Sequence, residues 1–242
     1  MAFKTNKIEQ KFENIFIVRN EPKSLISEAF RTLRTNIKFS SLDKPLKTLL
    51  ITSPIPEAGK SSVSVNLALT VAQSGSKTIL VDTDFRRPII HKIFKEDNKP
   101  GLTNVLVENK KIEEVMRRVT DTDHNLYYIP SGPIPPNPSE LLGSNKMKEV
   151  MKELQKQADL VLFDSPPVIA VTDALVLANQ VDGVVLVLDV GEVTREASKQ
   201  AKVLLEKVKA KILGVILNKV DMESESYSYY YYYGDERKKR KK

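Results

Sequence analysis

The sequence predicts an α/β fold: a doubly wound, mostly parallel sheet with helices on both faces. Three observations predict it. Apolar strand-like runs alternate with helical periods from about residue 47 to residue 217. Several runs, among them Val184 to Leu188 and Ile212 to Leu217, are apolar almost throughout, as strands covered on both faces are. The first run, Leu49-Leu50-Ile51, passes through a short loop ending Gly59-Lys60-Ser61 straight into a helical pattern (Val63, Val65, Leu67, Ala68, Val71).

Taken in order, residues 1–23 form a polar N-terminal extension, patterned only at Ile15-Phe16-Ile17-Val18, which reads as a short strand or clamp. A helix is expected over 24–40, capped by Ser24 or Ser27, with Leu25, Ala29, Phe30, Leu33 and Ile37 near one face. Glu28, Arg31 and Arg34 fall at i, i+3 and i+6 on a single other stripe, which composition alone reads as a solvated face. Strands are expected at 47–52, 77–81, 126–130, 159–163, 183–188 and 212–217. Helices are expected at 60–74, 88–95, 101–118 with a break, 144–157, 171–179 and 194–209.

Four prolines stiffen the 131–139 loop against both helix and central strand. That loop lies either at the ligand edge or on a plain surface connection. One domain, 24–221, accounts for the pattern. It is followed by a flexible tail, 222–242, that holds six of the eight tyrosines: Tyr227, Tyr229, Tyr230, Tyr231, Tyr232 and Tyr233.

Composition narrows the class. At 242 residues and 41% hydrophobic content a substantial core is available, and no apolar run is long enough to span a bilayer. The absence of cysteine excludes disulfide and thiol chemistry. Of the net +7 charge, six positive charges are the last six residues, Arg237 to Lys242, so the body is near neutral and no nucleic-acid partner is expected.

The chemistry gathers around Gly59-Lys60-Ser61. A helix N-terminus offers free N–H groups to phosphate oxygens, Lys60 adds a mobile cation, and a Ser61 hydroxyl suits Mg²⁺. The loop opens with Pro54 where the phosphate-loop pattern has glycine. Two further strands end in acids, Asp82 with Asp84, and Asp164, which sets carboxylates on the same edge of a parallel sheet. Each alone could be a turn or cap residue; two such signals after one phosphate loop point to a metal–nucleotide site. His91 and His124 lack metal-ligand spacing. Asn218-Lys219-Val220-Asp221 matches a guanine-recognition tetrapeptide, but Pro167 stands where a GTPase carries glycine, so only proximity of Asn218 to a base is expected.

Thr52-Ser53-x-x-Pro56-x-x-Gly59-Lys60-Ser61, Val81-Asp82-x-Asp84-x-Arg86-Arg87-Pro88 and Phe163-Asp164-x-Pro166-Pro167, in this order, resemble the Walker A, A′ and B motifs of the bacterial tyrosine kinases. More closely, the chain resembles the separate cytoplasmic kinase of Gram-positive capsule and exopolysaccharide systems. Glu28-x-x-Arg31-x-x-Arg34 resembles that family's subunit-contact motif, and the tyrosine cluster its autophosphorylation site.

The resemblance implies a P-loop NTPase fold and an ATP-dependent protein-tyrosine kinase that regulates capsule or exopolysaccharide synthesis. Glu57, Ala58, Gly59, Lys60, Ser61 and Ser62 would hold ATP, with Ser61, Asp84 and Asp164 organising Mg²⁺ and Lys60 and Asp82 as the catalytic pair. Tyr227, Tyr229, Tyr230, Tyr231, Tyr232 and Tyr233 would receive the phosphate. The partners it implies are a homo-oligomeric ring through Glu28, Arg31 and Arg34, a membrane-anchored activator, and protein-tyrosine substrates. The implied location is cytoplasmic, at the inner face of the cell membrane through that activator. Glu57 departs from the family, which usually has glycine there.

A phenol with a pKa of about 10 arrives neutral and needs an acceptor, the role expected of Asp82. Ten extended residues, Val220 to Tyr229, reach about 35 Å, enough for a neighbour's site, so phosphorylation in trans is expected. The competing reading is a partitioning-type ATPase acting as a nucleotide switch; Ile55 stands where those carry a signature lysine, and the tyrosines have no role in it. A third reading is a membrane-surface scaffold held by the basic end.

Overall fold

A computed structural model describes residues 15–40, 45–120 and 124–221. The expected autophosphorylation sites Tyr227, Tyr229, Tyr230, Tyr231, Tyr232 and Tyr233 lie outside the described residues, as do the rest of the 222–242 tail and most of the N-terminal extension. Among the described residues seven strands form one sheet: β1 Thr48–Thr52, β2 Thr78–Asp82, β3 Arg117–Arg118, β4 Leu126–Ile129, β5 Leu160–Asp164, β6 Gly183–Asp189 and β7 Ile212–Asn218. Their spatial order is β3-β4-β2-β5-β1-β6-β7, and every pairing is parallel except the short β3–β4 edge.

Nine helices among the described residues accompany the strands: α1 Ile17–Asn20, α2 Leu25–Phe39, α3 Lys60–Ala72, α4 Ile90–Ile93, α5 Leu102–Glu108, α6 Pro138–Gly143, α7 Asn145–Gln157, α8 Asp173–Ala178 and α9 Arg195–Lys207. Alternate strand residues face opposite layers. Leu50, Val81, Val161, Phe163 and Leu186 pack beneath α5 to α9. Leu49, Ile51, Leu80, Leu162 and Val185 pack beneath α2, α3 and α4. Central α3 is buried on nearly all sides (Ser61 and Val63 to Ala72), in keeping with a sequence that carries no charge after Lys60 and whose buried Ser64, Asn66 and Thr70 each make hydrogen bonds.

The six expected strands are present within one or two residues, and β3 is an unforeseen two-residue edge. Residues 17–20 make a helical turn rather than a strand, because the Val18 amide finds a side-chain acceptor, Asn66 Oδ1 at 3.1 Å, instead of a neighbouring strand. The clamp half of that expectation holds: Val18 is fully buried, and Phe16 meets Phe94 at 5.7 Å between ring centroids. The expected 88–95 helix shrinks to α4, with Lys95 left-handed at φ 57° just beyond it. The 101–118 helix stops where Asn109 turns left-handed at φ 56°, and its remainder is a 3₁₀ turn, Ile112–Glu114, and then β3.

The proline-rich loop ends two residues early, since Pro138 supplies the first residue of α6, where its missing N–H has no partner to lose. Ser24 caps α2 by accepting the Ser27 amide. On that helix Ile37 is buried and Phe30 and Leu33 half-buried, but Leu25 and Ala29 of the expected apolar face are exposed. Among the described residues no helix is long and apolar enough to cross a membrane.

Candidate active site

The carboxyl ends of β1, β2 and β5 bring the three motifs together, and their loops are stitched to one another. Thr83 donates both its amide (2.8 Å) and its hydroxyl (2.7 Å) to Asp164 O. The Val168 amide donates to Ser53 O at 2.8 Å, and the Thr52 hydroxyl to Pro166 O at 2.8 Å. Three loops of distant sequence thereby form one rigid rim.

Gly59 begins α3 in the left-handed region (φ 83°), and among the described residues no side chain caps this helix. The first-turn N–H groups therefore remain available for an anion. The left-handed φ favours glycine at 59, and a Cβ there would lie 2.1 Å from Asn218 Nδ2 and displace that side chain. Glu57 is also left-handed, at φ 61°. That conformation is natural to glycine and strained for glutamate, which gives the departure at 57 a backbone meaning besides its charge.

Lys60 Nζ lies 3.3 Å from Asp84 Oδ2. Burial works to lower the Lys60 pKa, but Asp164 and Asp84 more than offset it and the net shift is upward, so this lysine is a secure cation. Asp164 accepts the Ser61 hydroxyl at 2.6 Å on one oxygen and the Ser64 hydroxyl at 2.9 Å on the other. Its pKa is raised, chiefly by burial. Asp82 is wholly buried: Oδ2 accepts the Ile89 and Ile90 amides and Oδ1 the Asp84 amide, each at 3.1 Å. Burial, with Asp164 nearby, pushes its pKa up to about 8. Asp84 Oδ1 accepts the Arg87 amide at 3.0 Å.

Glu57, Ala58, Gly59, Lys60, Ser61 and Ser62 are thus contiguous on one loop and helix start, and Lys60 and Ser61 join it to Asp84 and Asp164. Asn218 joins them from β7, donating to Ala58 O at 2.9 Å. Glu28, Arg31 and Arg34 lie apart on α2, where Arg31 pairs with Glu28 and Arg34 donates to Thr70 O on α3 at 3.0 Å. The acceptor side of the expected reaction, Tyr227, Tyr229, Tyr230, Tyr231, Tyr232 and Tyr233, falls outside the described residues.

Sequence reasoning missed three participants. Ser64, one turn beyond Ser61, was readable from the i, i+3 spacing. Asp173 is fully buried beneath a two-pronged contact from Arg86 (2.9 and 3.0 Å) and takes the Ser139 hydroxyl, tying the 82–88 loop to the proline-rich segment. Nothing local marks that pairing. Asp189, at the end of β6, holds Lys219 at 2.6 Å.

The donors fit a hard divalent cation. Ser61, Asp84 and Asp164 offer oxygen only, and among the described residues no three acidic or histidine side chains form a ready-made metal group. Mg²⁺ suits such a sparse set because it keeps waters and takes nucleotide phosphate oxygens.

Comparison with known proteins agrees with this geometry. Residues 57–216 match the family model described as an AAA domain. The chain is 43% identical to tyrosine-protein kinase YwqD of Bacillus subtilis (strain 168), over 95% of this chain and 96% of that one. It is 42% identical to the putative tyrosine-protein kinase CapB of Staphylococcus aureus, over 90% and 95% respectively. The crystal structure of the chimerical protein CapA2B2 superposes with a TM-score of 0.81 at 39% identity, covering 86% of this chain and 90% of that one. On these likenesses, with a nucleotide-type loop set against strand-end carboxylates, the chain belongs to the bacterial tyrosine-protein kinases.

Proposed function

We propose that this kinase transfers the γ-phosphoryl group of ATP to the tyrosines of its own tail, Tyr227, Tyr229, Tyr230, Tyr231, Tyr232 and Tyr233, on a neighbouring subunit, and thereby regulates capsule or exopolysaccharide synthesis. One observation carries the reading: the uncapped start of α3, with Lys60 in its first turn, opposes Asp82 and Asp164, which are register partners on adjacent strands.

In this reading Glu57 to Ser62 and Lys60 Nζ hold the phosphates, Asn218 lies beside the base, and Ser61, Asp84 and Asp164 hold Mg²⁺. When bound, Mg²⁺ supplies charge neutralisation across the phosphate oxygens. Lys60 would leave Asp84 for the phosphates, freeing that carboxylate. With Mg²⁺ and the Lys60 cation beside it Asp82 would ionise, and its Oδ1, which has a single N–H partner among the described residues, would then accept the phenol hydrogen as the tyrosine oxygen attacks. Transfer of this kind depends on positioning and charge, so Lys60 carries more of the rate than Asp82.

The kinase domain is taken as 24–221, with the Ile15 to Asn20 end of the N-terminal extension clamped onto it through Phe16 and Val18. Ring assembly uses the outer face of α2, where Leu25 and Ile26 are exposed beside Glu28. A new subunit would compete with the internal partners of Arg31 and Arg34. A membrane-anchored activator brings the kinase to the inner membrane face. Incubation with Mg-ATP and the activator's cytoplasmic segment, followed by mass mapping of residues 222–242, tests the whole reading. Phosphate should appear on the tail tyrosines and be lost in Lys60→Met; an unmodified tail would sink it.

A further inference from the structure

Two successive carbonyls of the phosphate loop are held from the far edge of the site. Lys219 Nζ donates to Glu57 O at 3.0 Å, and Asn218 Nδ2 to Ala58 O at 2.9 Å. Both donors stand at the end of β7, where Asn218 pairs in register with Asp189 of β6. Asp189 is almost fully buried, accepts the Gly191 amide at 3.1 Å, and takes Lys219 Nζ at 2.6 Å. The ammonium group therefore spans a fixed carboxylate and the loop.

A trans peptide is planar and points its C=O and N–H in opposite directions. Fixing Glu57 O toward β7 aims the Ala58 N–H away from it, and fixing Ala58 O does the same for the Gly59 N–H. Both donors are then preset toward the phosphate side of the loop. The residue so held is Glu57, in a left-handed conformation its side chain disfavours.

We propose that Asp189, Lys219 and Asn218 form a clip that presets the phosphate loop, standing in for the glycine that position 57 lacks. Asp189 and Lys219 are positioning residues, acting on the nucleotide through the loop, and Asn218 adds its hold on Ala58 O to its place beside the base. The inference rests on the reading of Glu57 to Ser62 as the ATP phosphate site.

The test uses the full chain in two backgrounds, native and Glu57→Gly, with Lys219→Met, Lys219→Arg and Asp189→Asn in each. Hydrogen exchange of peptides covering residues 53–62, without nucleotide, reads the clip directly; affinity for a fluorescent Mg-ATP analogue reads its consequence; thermal midpoints monitor general damage. Lys219→Met should speed exchange across 53–62 and weaken nucleotide binding about tenfold in the native background, the scale of a lost hydrogen bond to a charged donor. Lys219→Arg should recover most of that loss. Asp189→Asn should act in the same direction without adding to Lys219→Met. With Glu57→Gly the Lys219→Met loss should shrink below about threefold, since glycine adopts the left-handed region freely. Unchanged exchange in Lys219→Met, or an equal affinity loss in both backgrounds, overturns the proposal. Failure of the native chain to bind the nucleotide counts against the site reading instead, and the exchange arm still judges the clip.

Discussion

Asp82 and Asp164 end neighbouring parallel strands in register, both fully buried, with the Lys60 ammonium as the cation that offsets them. Two carboxylates this close in a dry edge cannot both ionise without cost, and burial with Asp164 alongside carries Asp82 to about 8.

A pH dependence of folding follows. Metal-free native protein binds a proton at Asp82 over the interval from 3.8, the ordinary value, to about 8, where the unfolded chain does not. The native state then holds more protons than the unfolded one, so stability falls as pH rises through that window. Asp164, also raised, acts in the same sense; Lys60, raised from 10.5, loses its contribution only at higher pH. With EDTA present, the thermal midpoint should decline between about pH 6 and the Asp82 value of about 8, and Asp82→Asn should flatten the decline. Parallel pH profiles for the two proteins would refute this.

The Arg86–Asp173 fork can be tested through stability. Asp173 is fully buried while Arg86 is 42% exposed, so the pair is partly screened and its loss is discounted accordingly. Arg86→Met leaves the carboxylate buried with Ser139 as its remaining side-chain partner among the described residues and should cost about 2–3 kcal/mol, a fall of roughly 5–10 °C in the thermal midpoint for a chain of this size. Adding Asp173→Asn removes the orphaned charge and should recover part of the loss; an additive double variant would mean that the two residues are uncoupled.

What could be read from the sequence, and what could not, divides along contact range. The core strands were legible because each is an apolar run long enough to cross the sheet, and the strand-end acids because a parallel sheet sends every carboxyl end to one edge. Ser24 was legible as a cap from its own neighbours. The Arg86–Asp173 pair was not, since 87 residues separate partners that only the packed fold brings together. Glu57 was noticeable as a departure, but its left-handed backbone was not, and the contacts on its carbonyl and on that of Ala58 come from Lys219 and Asn218, 160 residues away and more. The Ile15–Val18 run failed as a strand for a similar reason: the acceptor for the Val18 amide is a side chain on α3.

Removing the Lys60 ammonium tests how the rate is divided. Lys60→Met should lower phosphoryl transfer by about 10³-fold, as expected when a preorganised charge at the transferring group is lost, and Asp82→Asn should lower it less. Initial rates on a tyrosine peptide compare the two; a larger loss in Asp82→Asn would make proton acceptance the dominant contribution.

If the tail tyrosines are phosphorylated, their charge should couple modification to assembly. Residues 221–242 hold six Lys or Arg and five Asp or Glu (Asp221, Glu223, Glu225, Asp235, Glu236), a formal balance of 6 − 5 = +1. Each phosphotyrosine adds roughly −1.5 to −2 at pH 7, so one phosphate reverses the sign and several make the tail strongly anionic. If tails are modified in trans, a Lys60→Met subunit mixed with a subunit truncated after residue 221 should acquire label on its own tail; label confined to self-modification would remove the trans route. The anionic tails should then repel one another and loosen the ring. Light scattering should report a smaller assembly after incubation with Mg-ATP than before it, with the difference shrinking at high salt as the repulsion is screened. An unchanged mass on phosphorylation would separate tail modification from assembly.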